Sequence, residues 1–202
     1  MSLITFLGDV ALLNNKMKNS YKIDGNLVFN LEYVLTTNNS NPAKNKVILS
    51  EVPIVFKDFF GITPMAVSMA NNHTMDYGVR GFYETKELLI EQKIEFFGAG
   101  SLEDNYNNPK IITVEEVSIA FLGYSLINDE NKEDQGVAYF TEDRAIKDIA
   151  QAKSNADLII VNIHWGVEEA PYHSGRQERV GKFLIDNGVD LVIGHHPHCI
   201  QP

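Results

Sequence analysis

The chain has 202 residues, 44% of them hydrophobic and 22% charged, with a net charge of −10. That balance supports one globular domain over residues 1–202 and argues against a binder of nucleic-acid phosphates, whose affinity is carried by Lys and Arg. A single cysteine, Cys199, excludes an internal disulfide. No run of 18 apolar residues predicts an integral membrane segment, and the N-terminus lacks the basic region of a secretory signal, so the expected location is the cytoplasm.

In chain order, Leu3 to Leu7 reads as a first strand that delivers Asp9 at its carboxyl end. Residues 10–26 are rich in Asn and Lys and predict a loop with a short helix. Leu27-Val28-Phe29 is a brief apolar run ending at Asn30-Leu31-Glu32. Residues 36–46 are dense in turn formers and predict a surface excursion. Ser50 is the expected cap of a helix running to Phe60, with Pro53 in its first turn and Gly61 just past its end. Met65 to Ala70 reads as a strand that runs into Asn71-Asn72-His73.

Val79 to Gln92 has helical periodicity, with Phe82, Leu88 and Leu89 on its apolar side. Glu95-Phe96-Phe97-Gly98 predicts a short strand and turn. Ile111–Val114 and Val117–Tyr124 predict an antiparallel pair joined at Glu115-Glu116. Residues 128–136 read as charged loop, and Glu142 to Lys153 as a helix. Asp157 to Ile163 is a buried strand that delivers His164-Trp165-Gly166, and Gly175 to Asn187 a helix closed by Gly188. Leu191-Val192-Ile193 is a last short strand, stopped at Gly194 and followed by His195-His196-Pro197-His198.

Strands alternating with helices predict an α/β fold, a layered sheet or sheets flanked by helices. In such folds ligands bind beyond the carboxyl ends of the strands. Five strand ends here finish in groups that bind metal: Asp9, Glu32, Asn72-His73, His164 and His195–His198. Carboxylate, amide and imidazole donors together suit one or two divalent cations of the Mn, Fe, Zn or Ni kind better than Mg or Ca. Two such cations about 3.5–4 Å apart would clamp the attacking and leaving oxygens of a phosphoryl transfer. The competing reading is a set of ordinary turn residues and unliganded surface histidines.

The ordered set Phe6-Leu7-Gly8-Asp9, Asn30-Leu31-Glu32, Ala70-Asn71-Asn72-His73 with Asp76 and Gly78, Phe97-Gly98-Ala99-Gly100, His164-Trp165-Gly166-Val167-Glu168 and Gly194-His195-His196-Pro197-His198 with Gln201 resembles the bacterial capsule synthesis protein CapA family. That family is linked to poly-γ-glutamate capsules and is similar in fold to the calcineurin-like metallophosphoesterases. The resemblance implies a metal-dependent hydrolase of capsule polymer metabolism, or else a non-catalytic component that binds an anionic polymer or capsule-assembly proteins. By position it implies metal ligation by Asp9, Glu32, Asn72, His164, His195 and His198. His73 would contact the phosphate and protonate the leaving group, a role suited to an imidazole titrating near neutrality. His196 is the least favoured ligand of its cluster.

The sequence also departs from the phosphoesterase pattern. Ala11 stands where a histidine usually follows the first aspartate, Glu32 replaces an aspartate, and Asn71 replaces the Gly of Gly-Asn-His. One metal position is therefore expected to be weak or absent. The family's domain continues with further strands past the histidine loop, whereas this sequence stops at Pro202, which predicts a sheet with an open edge. Asn30, Asn71, Trp165, Glu168 and Arg176 are the expected substrate-binding residues. For each a plainer role stands beside it: turn or cap for Asn71, cleft wall or core for Trp165, solvated charge for Glu168 and Arg176. Asp76 is expected as a helix-entry residue rather than a ligand, and Cys199 as an inert packed thiol.

Overall fold

The computed structural model describes residues 3–12, 23–37, 41–103, 106–107, 109–127 and 135–201. The first half of the chain forms β1 (Ile4–Val10), β2 (Asn26–Leu31), β3 (Val34–Leu35), β4 (Ser50–Glu51), α1 (Phe56–Phe60), β5 (Ala66–Ser68), α2 (Gly78–Glu91) and β6 (Glu95–Phe97). The second half forms β7 (Ala99–Ser101), β8 (Lys110–Val114), β9 (Val117–Ser125), β10 (Gln135–Val137), α3 (Glu142–Lys153), β11 (Leu158–His164), α4 (Gly175–Asp186) and β12 (Leu191–His195). Two four-stranded sheets result, in the orders β1-β2-β5-β6 and β12-β11-β9-β8, with two small ribbons, β7/β10 and β3/β4. The first sheet is parallel throughout; in the second only β8 runs antiparallel.

The alternation of each strand's side chains builds a mixed α/β sandwich of helix, sheet, sheet and helix. Leu27, Phe29 and Leu31 of β2 face outward, where Phe56 and Phe60 of α1 and Phe82 and Leu89 of α2 cover them. Ala120, Leu122 and Tyr124 of β9, with Ile159, Val161 and Ile163 of β11, face the other way and meet Ala145 and Ile149 of α3 and Leu184 of α4. Between the sheets lie Val28, Ala66, Phe97, Ile119, Phe121 and Ile160. The residues that continue this inner face to the carboxyl ends of β2, β11 and β12 are Asn30, His164 and His195. Strand periodicity thus aims them into the gap between the sheets.

The helices follow their signals closely. Thr141 caps α3 by accepting from the Arg144 N–H, and Ser174 and Gln177 form a reciprocal capping box at α4. Gly61 ends α1 in the left-handed conformation.

The expected helix from Ser50 is corrected. Ser50–Glu51 is a strand, because Leu49 and Glu51 accept hydrogen bonds from the Val34 and Thr36 N–H groups. The helix starts only at Phe56, where the distant Gln92 side chain accepts from the Phe56 N–H and donates to the Ile54 carbonyl. The charged loop expected at 128–136 is also corrected: Gln135–Val137 pairs antiparallel with Ala99–Ser101, while 128–134 lie outside the described residues. So does 13–22, most of the loop expected at 10–26. Among the described residues no helix is long and apolar enough to cross a membrane.

Gly98 and Gly123 allow the second sheet to close against the β6–β7 corner. A Cβ on Gly98 would lie 2.6 Å from the Ala70 Cβ and 2.9 Å from the Gly123 Cα, at a φ of +80°. Gly61 also has a positive φ, but nothing lies within 4 Å of its missing Cβ. Gly61→Ala should therefore cost about 1–2 kcal/mol, the left-handed term alone. Gly98→Ala should add an overpacking term of about 1–3 kcal/mol to that. Urea denaturation of the two variants checks the order.

Candidate metal centre

Asp9 is placed by a bulge. Phe6 pairs with Val28 and Asp9 with Asn30, so two residues of β1 oppose one of β2 between those pairs. The bulge turns the Asp9 carboxylate to the end of the sandwich, where three partners meet it. The Asn30 Nδ2 donates to Oδ1 at 2.6 Å, the His196 backbone N–H donates to Oδ2 at 2.7 Å, and the His198 Nδ1 lies 3.3 Å from Oδ2. The strands that carry the other donors end on the same side. His164 closes β11, with its Nε2 2.8 Å from Asn72 Oδ1 and 3.4 Å from Glu32 Oε1, and its Nδ1 3.7 Å from Asp9 Oδ1. Residues scattered from position 9 to position 198 thus converge on one pocket.

Among the described residues three triads of ligand atoms fall within 4.8 Å of one another: Glu32, His164 and His196; Asp9, Glu32 and His198; and Glu168, His196 and His198. His196 belongs to two of them, although it was the least favoured of its cluster. His195, the favoured one, joins none; its Nδ1 lies 3.6 Å from Asp9 Oδ1. The cause is backbone conformation: His196 and His198 have φ of +90° and +54°, so the chain leaves the strand's alternation once β12 ends.

The pocket carries more buried polarity than it satisfies. Glu32 Oε1, His196 Nδ1 and both ring nitrogens of His195 are buried without a hydrogen-bond partner, an arrangement that costs free energy unless something else engages them. Burial, reinforced by the charges of Asp9, Glu168 and Asp76, pushes the Glu32 carboxyl up to about 8. Burial, followed by the neighbouring imidazoles, holds His164 well below the ordinary histidine value. Burial also lowers His195, opposed by Asp9, and His196, opposed most by Glu168. Neutral imidazole is the form that ligates metal, and a cation among these groups would return Glu32 to its ionised form. The unpartnered donors and the mixed oxygen and nitrogen set fit one or two divalent transition cations.

His73 sits at the edge of this cluster and is locked from behind. Its Nδ1 lies 2.8 Å from Asp76 Oδ2, leaving Nε2 as the available nitrogen. Asp76 is fully buried. It also accepts from the Leu49 N–H at 2.7 Å and pairs through Oδ1 with Lys46 at 2.8 Å, while Lys46 also donates to the Asn72 carbonyl. Asp76 is thus in none of the ligand triads and lies just ahead of the α2 N-cap Tyr77, from where it holds the His73 ring. The i, i+3 spacing to His73 was the signal that could have found it.

Two of the expected substrate contacts lie buried in the structure. Asn30 and Asn71 are 0% and 1% exposed and serve as braces: the Asn71 Nδ2 donates to Asn30 Oδ1 and to the Leu31 carbonyl, while its Oδ1 accepts from the His73 N–H. Trp165 is half-buried and lines a cavity of about 530 Å³ with Gly194, Pro197 and Gln201, next to the ligand cluster. Arg176 is exposed and lines a separate cavity of about 210 Å³, shared with Trp165 and Gly166. Glu168 is exposed and faces His196 and His198. Cys199 is exposed rather than packed, its thiol donating to the Ala170 carbonyl.

The family model described as bacterial capsule synthesis protein PGA_cap matches residues 6–202. The chain is 36% identical over 143 residues to the capsule biosynthesis protein CapA of Bacillus anthracis, covering 67% of this chain and 35% of that protein. It is 35% identical over 141 residues to the PGA biosynthesis protein CapA of Bacillus subtilis, covering 67% and 37%. A Mycobacterium tuberculosis protein named a probable polyglutamine synthesis accessory protein is 24% identical over 190 residues, covering 87% of this chain and 50% of its own length. The chain thus spans about a third of the length of the two Bacillus relatives.

The shifted groups predict how the metal-free pocket responds to pH. Glu32 holds in the folded state a proton that the unfolded chain releases at its ordinary value of 4.5, so its contribution to stability is full below 4.5 and lost as pH rises through about 8. The depressed histidines act oppositely: their contribution is full above their ordinary 6.5 and lost as pH falls below it. Among these shifted groups, Glu32 alone slopes between pH 6.5 and 8, and downward. The urea midpoint of chelator-treated protein should fall across that window, and Glu32→Gln should remove the fall.

Proposed function

Because the chain belongs to the bacterial capsule synthesis protein family PGA_cap, we propose that it acts in capsule polymer metabolism as a metal-dependent hydrolase of phosphoesterase type. The observation that carries this reading is the convergence of Asp9, Glu32, Asn72, His164, His196 and His198 on one pocket with buried ligand atoms left unpartnered. When bound there, a divalent cation such as Mn, Fe, Zn or Ni supplies Lewis-acid polarisation of a phosphoryl oxygen and acidifies an attacking water.

The chain's own residues do the rest. Asp76, fixed by Lys46 and the Leu49 N–H, holds the His73 Nδ1 proton and so leaves Nε2 to carry the proton for the leaving oxygen. Asn71 anchors the His73 backbone, and Asn30 holds Asp9 Oδ1. Trp165 walls the approach to the cluster. The substrate class is a phosphoester on, or feeding, an anionic surface polymer, and other capsule-assembly proteins are the expected partners.

A second reading has one specific observation in its favour. The Mycobacterium relative is named an accessory protein of synthesis, which fits a component that binds polymer or partner proteins without turning substrate over.

Metal analysis and turnover of a chromogenic phosphodiester separate the two. The hydrolase reading expects bound transition metal and turnover that His73→Asn lowers by about 10²–10⁴-fold with metal content unchanged. Protein that holds no Mn, Fe, Zn or Ni, and whose melting temperature none of them raises, overturns it.

A further inference from the structure

We propose that Glu168 is a metal ligand, closing a second cation position with His196 and His198. This assignment rests on the metal-dependent reading above and deepens it. Glu168 is exposed, His196 buried and His198 exposed, and one ligand atom from each lies within 4.8 Å of the other two. A second set overlaps it: Glu32 Oε1, Asn72 Oδ1 and Asp9 Oδ1 all gather on His164, which also groups with Glu32 and His196. The pocket therefore has an inner group on His164 and an outer group of Glu168, His196 and His198, with His196 common to both. Asp9 stands between them, with Oδ1 toward His164 and Oδ2 3.3 Å from the His198 Nδ1. Glu32 Oε1 does the same, 3.4 Å from His164 Nε2 and 3.9 Å from His198 Nε2.

The position of Glu168 is not that of a freely moving surface charge. Its loop is stitched to the histidine loop along its length. The Trp165 N–H donates to the His195 carbonyl at 3.1 Å, and the Glu169 N–H to the Pro197 carbonyl at 2.8 Å. The Cys199 thiol and the Gln201 amide both donate to the Ala170 carbonyl. Gly166, Glu169, His196 and His198 all have positive φ. For the three that are not glycine, that conformation persists only where the surroundings impose it. Two strained loops, held face to face, present a carboxylate to two imidazoles, one of which has a buried nitrogen without a partner. Oxygen from Glu168 with two nitrogens leaves open positions for water or substrate, as in catalytic sites.

Zn²⁺ titration followed by calorimetry on protein stripped with chelator tests this. Wild type should bind two equivalents. Glu168→Gln should keep the inner one and weaken the outer by roughly 10–100-fold or more, given that even outer-shell changes reach that range. His198→Gln should weaken the same equivalent, and the double variant should lose little beyond either single one. Unchanged melting temperature of the stripped variants shows that they fold. Two equivalents of undiminished affinity in Glu168→Gln, or a single equivalent that the substitution leaves untouched, overturns the assignment while the hydrolase reading stands. Wild type that binds no Zn²⁺ at all overturns the reading on which it rests.

Discussion

The Asp9 carboxylate is the constraint on which the pocket depends. A carboxylate at the end of a buried sandwich must be satisfied on both oxygens. Here Asn30 from the neighbouring strand satisfies one, and the His196 backbone N–H, 187 residues away in sequence, satisfies the other. The second bond holds the chain where the histidine loop leaves β12, and His196 there has a φ of +90°. The first bond reaches further: Asn30 receives from Asn71, and Asn71 receives from the His73 N–H. The Asp9 carboxylate thereby links two loops, one from each sheet.

Electrostatics follow from the same crowding. Carboxyls and imidazoles packed out of water each favour their neutral forms, which is why Glu32 moves up and the histidines move down. A positive charge at the centre reverses the preference of Glu32 and leaves that of the imidazoles intact. Glu32 Oε1 and the unpartnered imidazole nitrogens are the groups that such a charge would engage.

Much of this was legible in the sequence, for a definite reason. The helices and buried strands have strong periodicities and caps, so Glu142–Lys153, Gly175–Asp186 and the strands ending at His164 and His195 fall within a residue or two of expectation. The rule that ligands gather at the carboxyl ends of parallel strands then selected Asp9, Glu32, Asn72 and His164. What stayed hidden depends on long-range partners. Ser50 has the look of a cap, but β3 captures its backbone first. His195 has the better strand-end position, yet past the end of β12 it is His196 that falls within the ligand triads. Asp76 and Lys46 come together only because residues 43–49 fold back over the Asn72–Asp76 turn. Asn30 and Asn71 carry amides that suit substrate binding, but burial turns those amides inward.

The central claim is that side chains from five strand ends form one cation pocket. An anomalous difference map from crystals grown with Zn²⁺ tests it most directly. The account predicts a peak about 2.0–2.2 Å from His164 and Glu32 ligand atoms, at the carboxyl ends of β2 and β11. Zn²⁺ bound only at surface residues remote from Asp9 and His164 would contradict it.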